Sequence, residues 1–401
     1  MDIIKLVAVF AIIVVVMRMN KPLYISVTVG SIATALLYGV GSAELLNVLR
    51  NGVFGRTTIT LVLAFYSITF LQRMLEKRGH LIQAERSLTN IFNSRRVNAM
   101  IAPFIIGLLP SAGAVLIASP IVDKAAGDDL TQEEKTFVTS FYRHISEAFL
   151  PTYASIILAV NLSGIKMTSF ILGMLPMILI LFILGYVFYV RKIPKVEKRL
   201  EGVDRGYEWK RLIEALWTII LTIVIILVLG VPVHLSVIPV IILSYIINRF
   251  KYREIKSMFY TAFEKKLIMT TVVIMVFKEL LIETGVIENL PDYFAALAVP
   301  PVVIFGLIFF FGTLVAGSQA MIALALPIAI ATIPSGGLSL VVFLMSINYI
   351  AMQISPTHIC LAIITEEHGT SFLSLVRKTM PVLVSFVLIA SAYSYLLYTL
   401  M

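Results

Sequence analysis

GLLPSAGAVLIASP at residues 107–120 and FLPTYASIILAVNLSG at 149–164 return in the second half as VAGSQAMIALALP at 315–327 and QISPTHICLAIITEEHG at 353–369. Ser111 aligns with Ser318, Pro120 with Pro327, Pro151 with Pro356, Thr152 with Thr357 and Gly164 with Gly369, all at a shift of 205 to 207 residues. Upstream, Gly79 pairs with Gly285 at the same shift. Two weakly similar halves, with prolines and small residues interrupting apolar segments at matching places, are the sequence signature of a secondary transporter.

Composition sets the solvent. A hydrophobic fraction of 59%, a mean hydropathy of +0.96 and 14% charged residues describe a polytopic membrane protein whose core faces lipid. The single Cys360 excludes an internal disulfide and a cysteine-based metal cluster, and its apolar helix fits a buried structural thiol. The net charge of +9 is read through the position of the basic residues along the spans, so no nucleic-acid partner is expected.

A spanning helix takes roughly 20 mostly apolar residues. Candidates lie at 3–17, 23–40, 57–71, 170–190, 212–229, 231–247, 267–282 and 380–400, and two longer crossings with a central proline at 137–164 and 338–365. The stretches 102–122 and 301–334 carry Gly/Ser clusters and read as re-entrant hairpins. Ten crossings and two hairpins give five crossings per half, and an odd number makes the two repeats inverted. All but five of the 32 Lys and Arg, the exceptions being Lys5, Arg50, Arg56, Lys166 and Lys278, then fall on one side. That basic side is the cytoplasm, and both termini face outside.

The resulting plan has a first repeat at 1–190, with scaffold spans 1–75, an interfacial helix 80–97, a hairpin 99–125, a broken helix 137–165 and a last span 168–190. A cytoplasmic linker at 191–211 joins it to a second repeat at 212–401. There the scaffold spans take 212–283, the interfacial helix 286–298, the hairpin 300–334, the broken helix 338–366 and the last span 379–400. No signal peptide is expected, because the first apolar segment lacks a basic leader region and a cleavage site. Lys278 and Glu279 stand either inside the bundle as a charge pair or near the outer end of a short span.

Non-helical backbone at membrane depth persists only where it lines a cavity, so four irregular points become candidate binding positions. They are the tips Ser111-Ala112-Gly113 and Ser318-Gln319, and the breaks at Pro151-Thr152 and Pro356-Thr357. Each proline removes one helical hydrogen bond. Ser355 reads as an N-cap with Pro356 at the first helical position, and Ser111 as a cap for the returning hairpin arm. Helix N-termini bind anions, while freed carbonyls suit Na+. Na+ near Ser111, Thr152, Ser318 and Thr357 is therefore one of two options for the coupling ion, beside H+.

Glu147 is the acid placed well inside the bilayer, with His144 one turn before it. Two readings stand: a buried carboxylate that carries the coupling proton with His144 as relay or substrate contact, or a solvated pair with Arg143 near the cytoplasmic mouth. His358 and Asn348 are either ligand contacts or interhelical hydrogen bonds. No metal site is expected, since His144 and Glu147 supply two ligands and no HExxH, cysteine pair or carboxylate cluster joins them. A nucleotide-binding Walker motif is absent as well, and no cofactor is expected.

Two five-span halves, each with scaffold spans, a hairpin with a small polar tip, a proline-broken helix and a last span, resemble the ion transporter superfamily. That group includes gluconate permeases, dicarboxylate carriers and divalent anion/sodium symporters. The chain is most similar to a prokaryotic ten-span branch that carries a domain-of-unknown-function label. Here the tips read Ser111-Ala112-Gly113 and Ser318-Gln319-Ala320, without the asparagines of the anion/sodium symporters. The resemblance implies an elevator mechanism with a dimeric scaffold and a moving transport unit.

The expected fold is thus all-α and membrane-integral, in two inverted repeats. The expected function is secondary active transport of a small organic anion across the cytoplasmic membrane, coupled to H+ or Na+. A passive channel and, further off, a membrane-embedded enzyme built on His144, Ser146 and Glu147 are the alternatives.

Overall fold

In the computed structural model, residues 2–19, 21–92, 94–108, 114–195, 204–286, 298–356 and 358–400 are described. The fold is helical. The first half contains α1 (Asp2–Arg18), α2 (Leu23–Tyr38), α3 (Ser42–Phe54), α4 (Arg56–Lys77), α5 (His80–Ile91), α6 (Arg95–Gly107), α7 (Ala114–Ala126), α8 (Gln132–His144), α9 (Ala154–Ser163) and α10 (Met167–Phe188). The second contains α11 (Arg205–Leu229), α12 (Val233–Ile247), α13 (Tyr252–Thr261), α14 (Lys265–Glu283), α15 (Pro301–Ala316), α16 (Ser318–Thr332), α17 (Gly337–Met352), α18 (Ile359–Glu367) and α19 (Phe372–Leu400). Five helical stretches are long and apolar enough to cross a membrane, and shorter apolar helices accompany them.

The helices fall into two groups by packing. α1 and α2 pack together, α14 lies against α2 and α3, and α12 lies against α4 and α11. In the other group α6 packs on α7 and α8, α15 on α16 and α17, and α19 on α8, α10 and α17. The helices of the two chain halves interleave within this second group: α9 lies against α16, α17 against α10, and α18 against α7 and α8.

Local sequence explains the ends. Thr131 opens α8 with a capping box, its Oγ1 accepting the Glu134 N–H at 3.3 Å while the Glu134 carboxylate accepts the Thr131 N–H at 3.3 Å. The same carboxylate accepts Lys192 at 2.7 Å and Lys378 at 3.2 Å, which ties the start of α8 to the chain just beyond α10 and to α19. Between α15 and α16 a single residue, Gly317, turns the chain at φ 86°. A side chain at that φ would be strained, so glycine is the residue that lets one helix end and the next begin without a loop.

Several expected boundaries shift. The 191–211 linker is shorter than its polarity suggests, because Asp204 accepts the Tyr207 N–H at 3.2 Å and starts α11 at Arg205. The first turns of α11 are held by α5, where Asn90 donates to Glu208 at 2.9 Å and Gln83 to the Arg211 carbonyl at 2.8 Å. The helix expected at 80–97 therefore ends at Ile91 and buries its apolar face on α11 and the α6–α7 pair. Its counterpart at 286–298 lies almost entirely outside the described residues. The last span begins at Phe372 rather than 379, as Ser371 accepts the Ser374 N–H at 3.1 Å. Lys278 and Glu279 sit on α14, partly exposed and 3.9 Å apart.

Two short helices, α3 and α13, were passed over by hydropathy because each carries charges on one face. Both pack sideways on longer helices, α3 on α14 and α13 on α4. α3 comes so close that a Cβ on Gly52 would stand 2.6 Å from the Val276 Cα. Gly52→Ala should push the two helices apart and lower the stability of the purified protein by about 1–3 kcal/mol, the usual cost of overpacking; an unchanged melting temperature would show that α3 yields freely.

α13 is fixed from the other side. Arg78 holds both Glu254 oxygens at 3.0 and 3.1 Å and lies 3.9 Å over the Phe250 ring. The hydrogen bonds from Arg78, then that from the Lys251 N–H, hold the surface carboxyl of Glu254 at about 2, below its ordinary 4.5. Because the folded value is depressed, this contribution is complete above about pH 4.5 and fades as the pH falls toward 2. The stability of Arg78→Ala should therefore decline less steeply than wild type across that window; parallel acid-unfolding curves would remove the pair from the account.

Candidate functional site

α8 is buried on every side from Thr136 to His144, so its polar residues have no water except at its broken end. There the chain tightens to a 3-10 turn at Ile145–Ala148, passes Pro151 and restarts as α9 at Ala154. Proline was expected to break the helix at its own position. The α-helix instead stops at His144, seven residues earlier. Ser146 donates to the Gly107 carbonyl at 2.6 Å, and Tyr153 donates to the same carbonyl, which anchors the interrupted segment to α6.

The second break runs from Gln353 to His358, between α17 and α18. Ser355 does not cap a helix as expected. Its hydroxyl donates to the Thr313 and Leu314 carbonyls at 3.3 and 3.1 Å, and Pro356 lies in the connecting turn, so His358 takes the N-cap position of α18. These carbonyls in the last turn of α15 draw the serine away from a capping role. Asn348 resolves to interhelical bonding: it donates to Ser318 at 2.6 Å and accepts from Thr313 at 2.8 Å, clamping the Gly317 turn.

A cavity of about 680 Å³ lies between the two helix groups. Thr152, Ser318, Gln319, Ser355, His358 and Glu147 all line it. Six of the expected positions are thus brought to one space from three separate segments. Ser111, Ala112 and Gly113, with Pro110, lie outside the described residues, as does Thr357. His144 stands behind the wall, fully buried. The Thr152 hydroxyl is buried with no partner among the described residues, and so offers a hydrogen bond to an occupant.

Sequence reasoning underrated Arg143. Its side chain is 1% exposed, it lines the cavity, and it is ion-paired with Glu147, 11% exposed, one turn further on. Burial and cavity contact thus combine the two sequence readings: the carboxylate is inside and it is paired. Removing one member of such a buried pair costs about 3–5 kcal/mol, so the guanidinium requires an anionic partner at every stage. The signal available in the sequence was the i, i+4 spacing of Arg143 and Glu147 on a helix whose neighbours are all apolar or neutral.

The fold also joins two histidines from opposite halves. His358 Nε2 lies 2.9 Å from His144 Nε2, and His144 Nδ1 lies 2.6 Å from the Ser140 carbonyl. A carbonyl only accepts, so Nδ1 carries the proton, the neutral His144 presents a bare Nε2, and His358 donates to it. His144 Nε2 is also 3.9 Å from Glu147. Cys360 completes a group with these histidines within 4.8 Å, an assembly of metal-ligating residue types that the sequence spacing did not reveal. In this structure the two ring nitrogens are engaged with each other.

Three helix N-termini open on the same cavity: α9 at Ala154 and Ser155, α16 at Ser318 and Gln319, and α18 beside Cys360. Each contributes unpaired N–H groups and partial positive charge. Together with Arg143 they make a space suited to an anion with several oxygens. At the rim, Arg73 pairs with Glu76 at 3.0 Å and with Glu264 at 3.2 Å, beside Gln72.

A search of curated proteins gives no match. Among solved structures the chain is similar to the YdaH transporter of Alcanivorax borkumensis, whose crystal structure is described as revealing an unusual topology. The TM-score is 0.59 at 11% identity, over 90% of this chain and 89% of that one. At this identity the likeness is one of fold, a multi-helix membrane fold also used by a transporter. The family model described as "Protein of unknown function (DUF401)" matches residues 3–398. The match spans nearly the whole sequence, and the chain belongs to the DUF401 family.

Proposed function

We propose that the chain is a secondary active transporter that carries a small organic anion through the cavity at Arg143. The observation that carries this reading is the convergence of a buried guanidinium and three helix N-termini on one cavity between two helix groups. A carboxylate there gains a charge-assisted, fork-shaped partner and backbone donors that are otherwise unpaired.

The order of elements supports two halves in opposite orientation. Span, span, short helix, span and later a helix pair, a broken helix and a last helix follow one another in 2–188 and again in 205–400. The arms of the helix pairs have 13, 13, 16 and 15 residues. At about 1.5 Å per residue these reach about 20–24 Å, lengths that α2 and α12 share, so the hairpin reading is supported by the sharp turn at Gly317 that returns the chain after α15 rather than by length. With the basic side in the cytoplasm, both termini lie outside a prokaryotic cytoplasmic membrane. In this orientation the charged rim at Arg73, Glu76 and Glu264 supports an opening toward the cytoplasm.

In this reading α1–α4 and α11–α14 form a scaffold that pairs in a homodimer, and α6–α10 with α15–α19 form the moving unit of an elevator. The cavity wall is shared between the two: Leu23, Phe65, Ile68, Thr69, Leu267 and the rim residues come from the first group, and Arg143, Glu147, Thr152, Ser318 and Ser355 from the second.

Proteoliposomes and radiolabelled acetate, lactate, succinate and citrate test the proposal. At least one of these acids should enter saturably under an inward proton or sodium gradient. Ser318→Trp, which fills the cavity beside the Gly317 turn, should reduce that uptake more than tenfold while the protein still elutes as a folded species. Flux that rises linearly with concentration, or uptake untouched by the tryptophan, would contradict a carrier with its site here.

A further inference from the structure

We infer that the transported anion and Glu147 exchange places on Arg143, so that each anion is accompanied by one proton taken up by Glu147 as it leaves the guanidinium. The inference rests on the anion-carrier reading and names its coupling ion.

The argument is one of charge. In the structure Arg143 and Glu147 form a neutral pair, with Arg143 almost wholly withdrawn from water. An incoming carboxylate suits the same guanidinium, but a second anion beside an ionised Glu147 leaves the site with a net negative charge in surroundings of low polarisability. Moving such a charge through a membrane is expensive. If Glu147 takes a proton, the carboxylate binds Arg143, the protonated Glu147 turns away as a neutral hydrogen-bond donor, and the net charge is zero again. Atoms and charge balance: one anion and one proton enter, and no bond other than the O–H of Glu147 is formed.

The surroundings fit this exchange. Glu147 is the member of the pair with cavity exposure, so it can swing out while Arg143 stays. The titratable groups facing it are His144, at 3.9 Å, and His358, Tyr153, Tyr349 and Cys360, which share its electrostatic field. His144 presents the bare Nε2 that His358 already occupies, so the histidines form a neutral, hydrogen-bonded backing rather than a second positive centre. The charged residues at the rim, Arg73, Glu76 and Glu264, are paired with one another. Arg143 is therefore the cation over which anion and Glu147 contend.

Both resting forms of the site are neutral, the empty ion pair and the loaded, protonated site. Each can cross between the two orientations. The half-loaded form, anion without proton, cannot. That asymmetry is the requirement for coupled transport, and it needs no sodium ion. Because anion and proton favour each other's binding, the coupling is reciprocal: where one proton is taken up with each anion, apparent anion affinity falls about tenfold for each pH unit.

Acetate is a suitable probe, since a small monocarboxylate presents the carboxylate group to the guanidinium with little else to exclude it. Its affinity for the purified full chain can be followed by thermal stabilisation against matched chloride. Wild type should bind acetate more tightly at pH 6 than at pH 8, with a slope approaching tenfold per pH unit where one proton is taken up with each anion. Glu147→Gln should bind it with no such pH dependence, and Arg143→Met should lose the acetate effect. A measurement on wild type alone guards against misfolded variants: in weakly buffered solution near pH 7, acetate binding should take up about one proton per anion. Binding of acetate without pH dependence or proton uptake would overturn the exchange and leave the anion carrier standing. No Arg143-dependent acetate binding at any pH would overturn both.

Discussion

The buried ion pair of Arg143 and Glu147 is the interaction on which the rest of the structure depends. An arginine with 1% exposure in a chain that is 59% hydrophobic must have a fixed anionic partner, and the partner must sit where the backbone is already interrupted. The 3-10 turn after His144 supplies that place, keeping Glu147 one turn from Arg143 while the chain bends away toward Pro151. The interruption in turn needs its freed groups satisfied, which Ser146 and Tyr153 accomplish at the Gly107 carbonyl. The charge pair, the broken helix, the close approach of α6 and the cavity thus meet at one place.

The second half contributes the complementary devices without a charge. Asn348, Ser318, Thr313 and Ser355 form a neutral network that holds the Gly317 turn and its helix N-terminus against the cavity. His358 reaches across 214 residues of sequence to meet His144. The two breaks therefore share a frame but divide the work, one providing charge and the other providing dipoles and hydroxyls. This division agrees with a site whose net charge is set by one residue pair and whose shape is set by backbone.

Much of this was legible in the sequence. The paired prolines and small residues located Thr152, Ser318, Gln319, Ser355 and His358, and all five line one cavity. Helical spacing placed Glu147 beside Arg143, but hydropathy gives no depth to a charge near a break, so the pair was left between two readings. The contact of His144 with His358 was hidden because it is a property of how two distant breaks fold onto each other. Ser355 was misassigned to an N-cap because the competing carbonyls of Thr313 and Leu314 come from another segment. α3 and α13 escape a hydropathy reading because their charged residues lower the average on which a span is recognised, although Val48 and Gly52 of α3 and Met258 of α13 are buried in packing.

The most direct test of the account is a density map of the protein with a carboxylate bound at low pH. The account predicts the carboxylate oxygens within hydrogen-bonding distance of the Arg143 guanidinium, near the N-termini at Ala154 and Ser318, with the Glu147 carboxyl displaced from its present partner. A carboxylate bound elsewhere, with the Arg143–Glu147 pair intact, would contradict it.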